Sequence, residues 1–139
     1  MKKTSSIVIA VISFLIFGGI SFYLVSKLFE PDVQETLIEV ALELNKQAPI
    51  QVDEETRLDS ATVTGDKIFD YYYTLIYRSD MVNKDTIAKY IKPGIIAQLK
   101  SSQDMNYFKE HEVTLNYNYY GYDGKHAVSL KITPDLYKD

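Results

Sequence analysis

Nineteen consecutive residues, Ile7 to Val25, carry no charged side chain, and no charge falls anywhere between Lys3 and Lys27. At ~1.5 Å of rise per helical residue the run reaches about 30 Å, the thickness of a bilayer core. It predicts a transmembrane helix and divides the chain into an anchor over 1–29 and a separately folding domain over 30–139. Lys2 and Lys3 precede the run, whereas Lys27 is soon followed by Glu30, Asp32 and Glu35. The positive-inside bias therefore predicts a single pass through the inner (cytoplasmic) membrane, N-terminus in the cytoplasm, with a periplasmic or otherwise extracytoplasmic domain. Phe22 and Tyr23 suit the outer headgroup region. A cleaved signal peptide is the competing reading. It would use the basic start, the apolar core Ile7 to Phe17 and a cut after Ser21. The apolar run continues to Val25 and offers no Ala-x-Ala site, which favours the uncleaved anchor. Without cysteine, no lipoprotein anchor is expected.

The part after the anchor is long enough for one compact domain. From residue 31 onward it holds 12 Lys and Arg against 18 Asp and Glu, a net charge of −6. Such a surface repels nucleic acid and anionic headgroups. The absence of cysteine leaves an exported domain to be stabilised by packing alone. The chain has 12 tyrosines and no tryptophan, and the tyrosines concentrate in segments that read as strands.

Val33, Leu37, Val40 and Leu44 form one helical stripe over Asp32 to Gln47, widened by Ile38, Ala41 and Leu42. Asp32, Glu35, Glu39 and Glu43 form an acidic stripe beside it, and Pro49 predicts the stop. Thr56 to Val63 and Lys67 to Tyr77 read as strands around a two-residue Gly65-Asp66 turn. That turn would set Leu58 opposite Tyr73, Ser60 opposite Tyr71 and Thr62 opposite Phe69, with Phe69, Tyr71, Tyr73, Leu75 and Tyr77 facing the core. A second helix, capped by Asn83 or Asp85, runs toward Leu99 with Ile87, Tyr90, Ile91, Ile95 and Leu99 on its apolar side and a kink or break at Pro93-Gly94.

Asp123-Gly124 predicts a type I′ hairpin. Counting outward pairs Tyr119 with Val128, Tyr117 with Leu130 and Leu115 with Ile132. The opposite face then carries Asn116, Asn118 and Tyr120 against Lys131, Ser129 and Ala127. Apolar and polar sets separate in this register and would mix after a one-residue slip. The expected architecture is α+β: an N-terminal transmembrane helix followed by an α-β-β-α-β-β domain, its antiparallel sheet packed on one face against helices.

No nucleophile elbow, phosphate loop, dinucleotide fingerprint or zinc-ligand spacing occurs, so no catalytic residue, cofactor or metal is expected. His111 and His126 are the only histidines, and nothing in their spacing requires them to meet. Asp53, Glu54, Glu55 and Asp59 lack the spacing of a calcium loop and read as a solvated cluster, in which Asp53, Arg57 and Asp59 have a structural ion-pair reading. The tyrosine runs are more informative. Strand alternation sends Tyr71, Tyr73, Tyr117 and Tyr119 to the core. It leaves Tyr72, Tyr120 and Tyr122, with Asn116 and Asn118, as a polar-aromatic surface suited to a protein partner.

The segment Leu44 to Leu58, the Tyr-x-Tyr strands and the Tyr-Tyr-Gly-Tyr-Asp-Gly-Lys turn at 119 to 125 resemble a group of small, largely uncharacterised bacterial envelope proteins with one N-terminal hydrophobic segment. Many members of that group carry a cysteine after the second helix and another near the C-terminus. Here those regions read Leu99-Lys100-Ser101-Ser102 and Thr133-Pro134-Asp135-Leu136, so a disulfide does not carry over. The resemblance implies fold and location and offers no catalytic residues. The expected function is that of a single-pass, membrane-anchored envelope protein, non-enzymatic, which binds another envelope protein. The alternatives are an immunity or inhibitor protein against a secreted toxin, and a small-ligand-binding domain.

Overall fold

The computed structural model describes residues 32–138; the expected anchor over 7–25 lies outside them. No helix of the described residues is long and apolar enough to cross a membrane. Helix α1 (Val33–Gln47) starts where Asp32 accepts a hydrogen bond from the Gln34 amide at 3.0 Å, so the first acidic residue is an N-cap. It buries Leu37, Val40, Ala41 and Leu44. Ile38 and Leu42 do not join that stripe: they remain 42% and 50% exposed, because the sheet covers less of the helix than its apolar width.

A short β1 (Ile50–Gln51), unforeseen in the sequence, follows the extended Ala48 and pairs with β2 (Thr56–Val63), which pairs with β3 (Ile68–Leu75). Next come a 3-10 turn (Ser79–Met81), α2 (Lys84–Thr86), a π-helical turn (Ile87–Ile91) and α3 (Lys92–Ser101). A second 3-10 turn (Gln103–Met105) leads into α4 (Asn106–Glu110). The hairpin of β4 (Thr114–Tyr120) and β5 (His126–Ile132) and the short α5 (Pro134–Tyr137) complete the domain.

The class is α+β, as expected, but the sheet has five strands and is mixed. Its order is β1-β2-β3-β4-β5, and the central pair β3-β4 is parallel. The long helical connection carries the chain back to the end where β3 began, and a parallel pair needs such a crossover. In this register Tyr71 lies beside Tyr117 and Tyr73 beside Tyr119. Their rings stack at 5.2 Å and 5.0 Å between centroids, and all four are buried. Phe69 joins the ladder to Phe108 of α4 at 5.5 Å. The two Tyr-x-Tyr motifs are therefore one cross-strand stack under the helices, worth roughly 0.5–1.5 kcal/mol per pair beyond burial.

The second helix meets Pro93 without breaking. Asn83 caps it by accepting from the Thr86 amide at 3.0 Å, and Pro93 sits in the first turn of α3. Ile87, Ile91, Ile95 and Leu99 are buried at a constant spacing of four. That spacing overshoots a 3.6-residue turn, and the wider π turn before Pro93 keeps the stripe on the sheet. Tyr90, expected on the apolar side, is 51% exposed.

Both hairpins depart from the expected turns. Leu58 pairs with Tyr73 as predicted, but Asp59 is a bulge, so Ala61, not Ser60, faces Tyr71 and Val63, not Thr62, faces Phe69. The connection is wider than a two-residue turn. Gln34 of α1 fixes it, donating to the Gly65 carbonyl at 2.8 Å and accepting from the Lys67 amide at 3.1 Å. In the last hairpin the pairs Leu115–Ile132, Tyr117–Leu130 and Tyr119–Val128 stand as expected, with Asn116–Lys131 and Asn118–Ser129 on the other face. Ala127 is the extra residue of a bulge: it is buried, and Tyr120 faces His126 instead. Gly124 alone of the turn pair has positive φ, at 79°, so the loop is a three-residue type rather than type I′.

Candidate functional site

The sheet face away from the helices has no element over it among the described residues, and its side chains form a polar network. Asp70 at its centre is buried. It accepts hydrogen bonds from Thr64 Oγ1 at 2.6 Å and Asn116 Nδ2 at 2.8 Å. Asn118 donates to the Tyr71 carbonyl at 3.2 Å and accepts from Ser129 Oγ at 2.6 Å. Ser129 has one hydroxyl proton and gives it to Asn118, so His126 Nε2, 2.7 Å from Ser129 Oγ, is the donor in that contact. The relay thus runs from His126 through Ser129 and Asn118 to the Tyr71 carbonyl. Asp59 on the bulge receives Arg57 Nε at 2.5 Å and the Thr74 hydroxyl.

The predicted surface residues fall into two groups. Asn116 and Asn118 lie on the open face with their amides engaged in the network. Tyr72 and Tyr120 are half-buried on the same face, their rings 6.5 Å apart, and His126 meets Tyr120 edge-on at 5.4 Å. Tyr122 sits at the hairpin tip and is 61% exposed. Ile76 and Met81, at that same end of the sheet, are also exposed.

The tip is clamped to the exit of β3. The Tyr122 amide donates to the Tyr77 carbonyl at 2.9 Å, and the Asp123 carboxylate accepts from the Ser79 hydroxyl and amide at 2.8 and 3.2 Å. The Ser79 hydrogen bond holds the Asp123 carboxyl below its ordinary pKa. Gly121 makes the approach possible: a Cβ there would stand 2.2 Å from Ser79 N and 2.8 Å from Arg78 C. Sequence patterning alone does not reveal this clamp. The available signal is a lone glycine at a strand end, which often marks close backbone approach.

The other candidates have structural roles. Asp53 caps the loop before β2 by accepting from the Glu55 and Thr56 amides at 2.7 and 2.9 Å. Glu55 accepts from the Tyr77 hydroxyl; burial first, and then that bond, push the Tyr77 pKa up to about 12. His111 packs on Tyr107 at 4.4 Å before β4 begins, whereas His126 faces the last residue of that strand, so the two do not meet. Among the described residues no group of three or more His, Asp or Glu is arranged to hold a metal ion. An open cleft of about 520 Å3 lies beside the start of β5, lined by residues of the segment Ser79 to Asp85 together with His126 and Ala127.

Three solved structures share this architecture at low sequence identity, which shows the fold alone. A Pseudomonas aeruginosa protein inferred to be secreted matches with a TM-score of 0.65 and 13% identity, over 76% of this chain and 92% of that one. The pilotin of the Vibrio vulnificus type 2 secretion system matches with a TM-score of 0.58 and 8% identity, over 76% and 92%. The type II secretion system pilotin AspS of Vibrio cholerae matches with a TM-score of 0.55 and 10% identity, over 74% and 90%. No curated protein sequence is significantly similar to the chain. Residues 32–128 match the model of a domain of unknown function, DUF8479, and the chain belongs to that family.

Proposed function

We propose that this protein is a non-enzymatic bacterial envelope protein, anchored through Ile7 to Val25, whose extracytoplasmic domain binds another envelope protein. The contact surface is the open sheet face and hairpin tip: Tyr72, Tyr120 and Tyr122, framed by Asn116 and Asn118. The observation that carries the reading is the Tyr72–Tyr120 pair, aromatic surface on a face that no described element covers. The fold likeness to a protein inferred to be secreted and to two secretion-system pilotins supports it, as does the resemblance to small envelope proteins with one hydrophobic segment. Six residues separate Val25 from Asp32 and span roughly 25 Å at most.

The test is affinity capture of the full-length protein from native membranes after crosslinking, with protease shaving of spheroplasts for topology. A recurrent partner, lost on Tyr72→Ala with Tyr120→Ala and retained on Tyr90→Ala, is the expected result. A domain that stays protease-resistant in spheroplasts but digests after lysis would refute the location. Undiminished capture by the double variant would refute the surface.

A further inference from the structure

The two edges of the sheet are treated differently. On the β2 side, β1 pairs only with Arg57 and Leu58. Beyond it, Asn45 of α1 takes over: its Nδ2 donates to the Ala61 carbonyl at 2.9 Å, and its Oδ1 accepts from the Ala61 amide at 2.7 Å. A side-chain amide thus stands in for the peptide of a next strand and caps the edge at Ala61. On the other side β5 runs for seven residues with no strand beyond it among the described residues. In an antiparallel pair every second residue turns its N–H and C=O away from the partner, so β5 presents a row of backbone donors and acceptors.

The charge on that strand opposes that of the domain. Between Gly124 and Pro134 the ionisable residues are Lys125, His126 and Lys131, with no acid, in a domain of net charge −6. All three are exposed, and Ser129 lies between His126 and Lys131. Pairing β5 with β5 of a second copy would bring two sets of lysines together. An extended segment carrying carboxylates brings opposite charges into cross-strand register. The cleft beside His126 and Ala127 is lined also by Asp80 and Asp85, so such a segment would run along Lys125 to Lys131 and not into the cleft.

We propose that β5 is a docking edge for an extended acidic segment of a partner protein, which adds to the sheet as a sixth strand with its carboxylates against Lys125 and Lys131. The proposal rests on the protein-interaction reading above and deepens it by naming the element that binds and the chemistry of what binds.

A displayed library of random ten-residue peptides, selected on the full-length protein in detergent micelles, tests it. The expected winners carry Asp or Glu at alternate positions among β-prone residues and slow amide exchange across Val128 to Ile132. They bind at least tenfold more weakly to Lys131→Glu, and Lys125→Glu weakens them in the same direction while the circular dichroism stays unchanged. Winners without acidic preference, winners with helical spacing, or binding that leaves β5 exchange unaltered would overturn the edge. So would protection of β5 by self-association without peptide. If partner capture from membranes survives Lys131→Glu but fails on Tyr72→Ala with Tyr120→Ala, the interaction reading stands and the edge falls.

Discussion

Replacing Gly121 by alanine tests the clamp between the hairpin tip and the exit of β3. Gly121 is not in the left-handed region, so alanine carries no conformational penalty of its own there. The whole cost is steric. The new Cβ stands 2.2 Å from Ser79 N and 2.5 Å from Asp123 Oδ1, so one strand must move by about 1 Å to reach an ordinary contact. That movement breaks the Tyr122–Tyr77 backbone bond, worth about 1 kcal/mol, and adds overpacking of about 1–3 kcal/mol. A loss of about 2–4 kcal/mol lowers Tm by roughly 10–20 °C in a domain of this size. Gly124→Ala is the control: its φ of +79° strains alanine but nothing lies within 4 Å, so its cost is about 1–2 kcal/mol and confined to the turn. The assay is thermal unfolding of both variants with amide chemical shifts at Ser79 and Tyr122. The reasoning fails if Gly121→Ala unfolds within a few degrees of the parent, or no lower than Gly124→Ala with those two amides unmoved.

Three further outcomes follow from burial and geometry. Gly94 lies in α3 with open space around its Cα, so Gly94→Ala stabilises by about 0.5–1 kcal/mol, read as a higher urea midpoint; a lower midpoint contradicts the helix there. Burial pushes the Tyr71, Tyr73, Tyr117 and Tyr119 hydroxyls above their ordinary pKa. With folded values raised above unfolded ones, their contribution is complete below about pH 10 and is lost as pH rises further. Tyrosinate absorbance from these four should emerge only together with loss of far-UV dichroism, and complete tyrosine titration in a folded domain would contradict the stack. Asn45→Ala uncaps the Ala61 edge, at a cost of about 1–2 kcal/mol, and raises aggregation in light scattering. Unchanged stability would mean that water replaces the side chain without loss.

Local patterning makes much of this domain legible in its sequence. Separation of Leu115, Tyr117 and Tyr119 from Asn116 and Asn118 places the last hairpin's register, since one face must be apolar and a slip would bury amides. The stripe Leu37, Val40 and Leu44 places α1, and alternation sends Tyr72 and Tyr120 to the open face. These features rest on neighbours a few residues apart, which composition and period record.

What lies beyond the sequence involves groups far apart along it. The parallel β3-β4 pair joins Tyr71 to Tyr117 through a crossover whose direction no local pattern encodes. The bulges at Asp59 and Ala127 reset registers that turn chemistry alone would have continued, and Gln34 of α1 shapes a loop more than thirty residues away. The contrast between a β2 edge capped at Ala61 by Asn45 and an open β5 edge likewise exists only after folding, because strand order decides which backbone groups are left without a neighbour. By itself the sequence determined most of the helix and strand segments, the buried stripe of α1, the two faces of β4 and the net charge, because those follow from residue type and short-range spacing. Tertiary structure alone decided strand adjacency, the Gly121 contact and the free edge, because each depends on which distant segments share the same few ångströms.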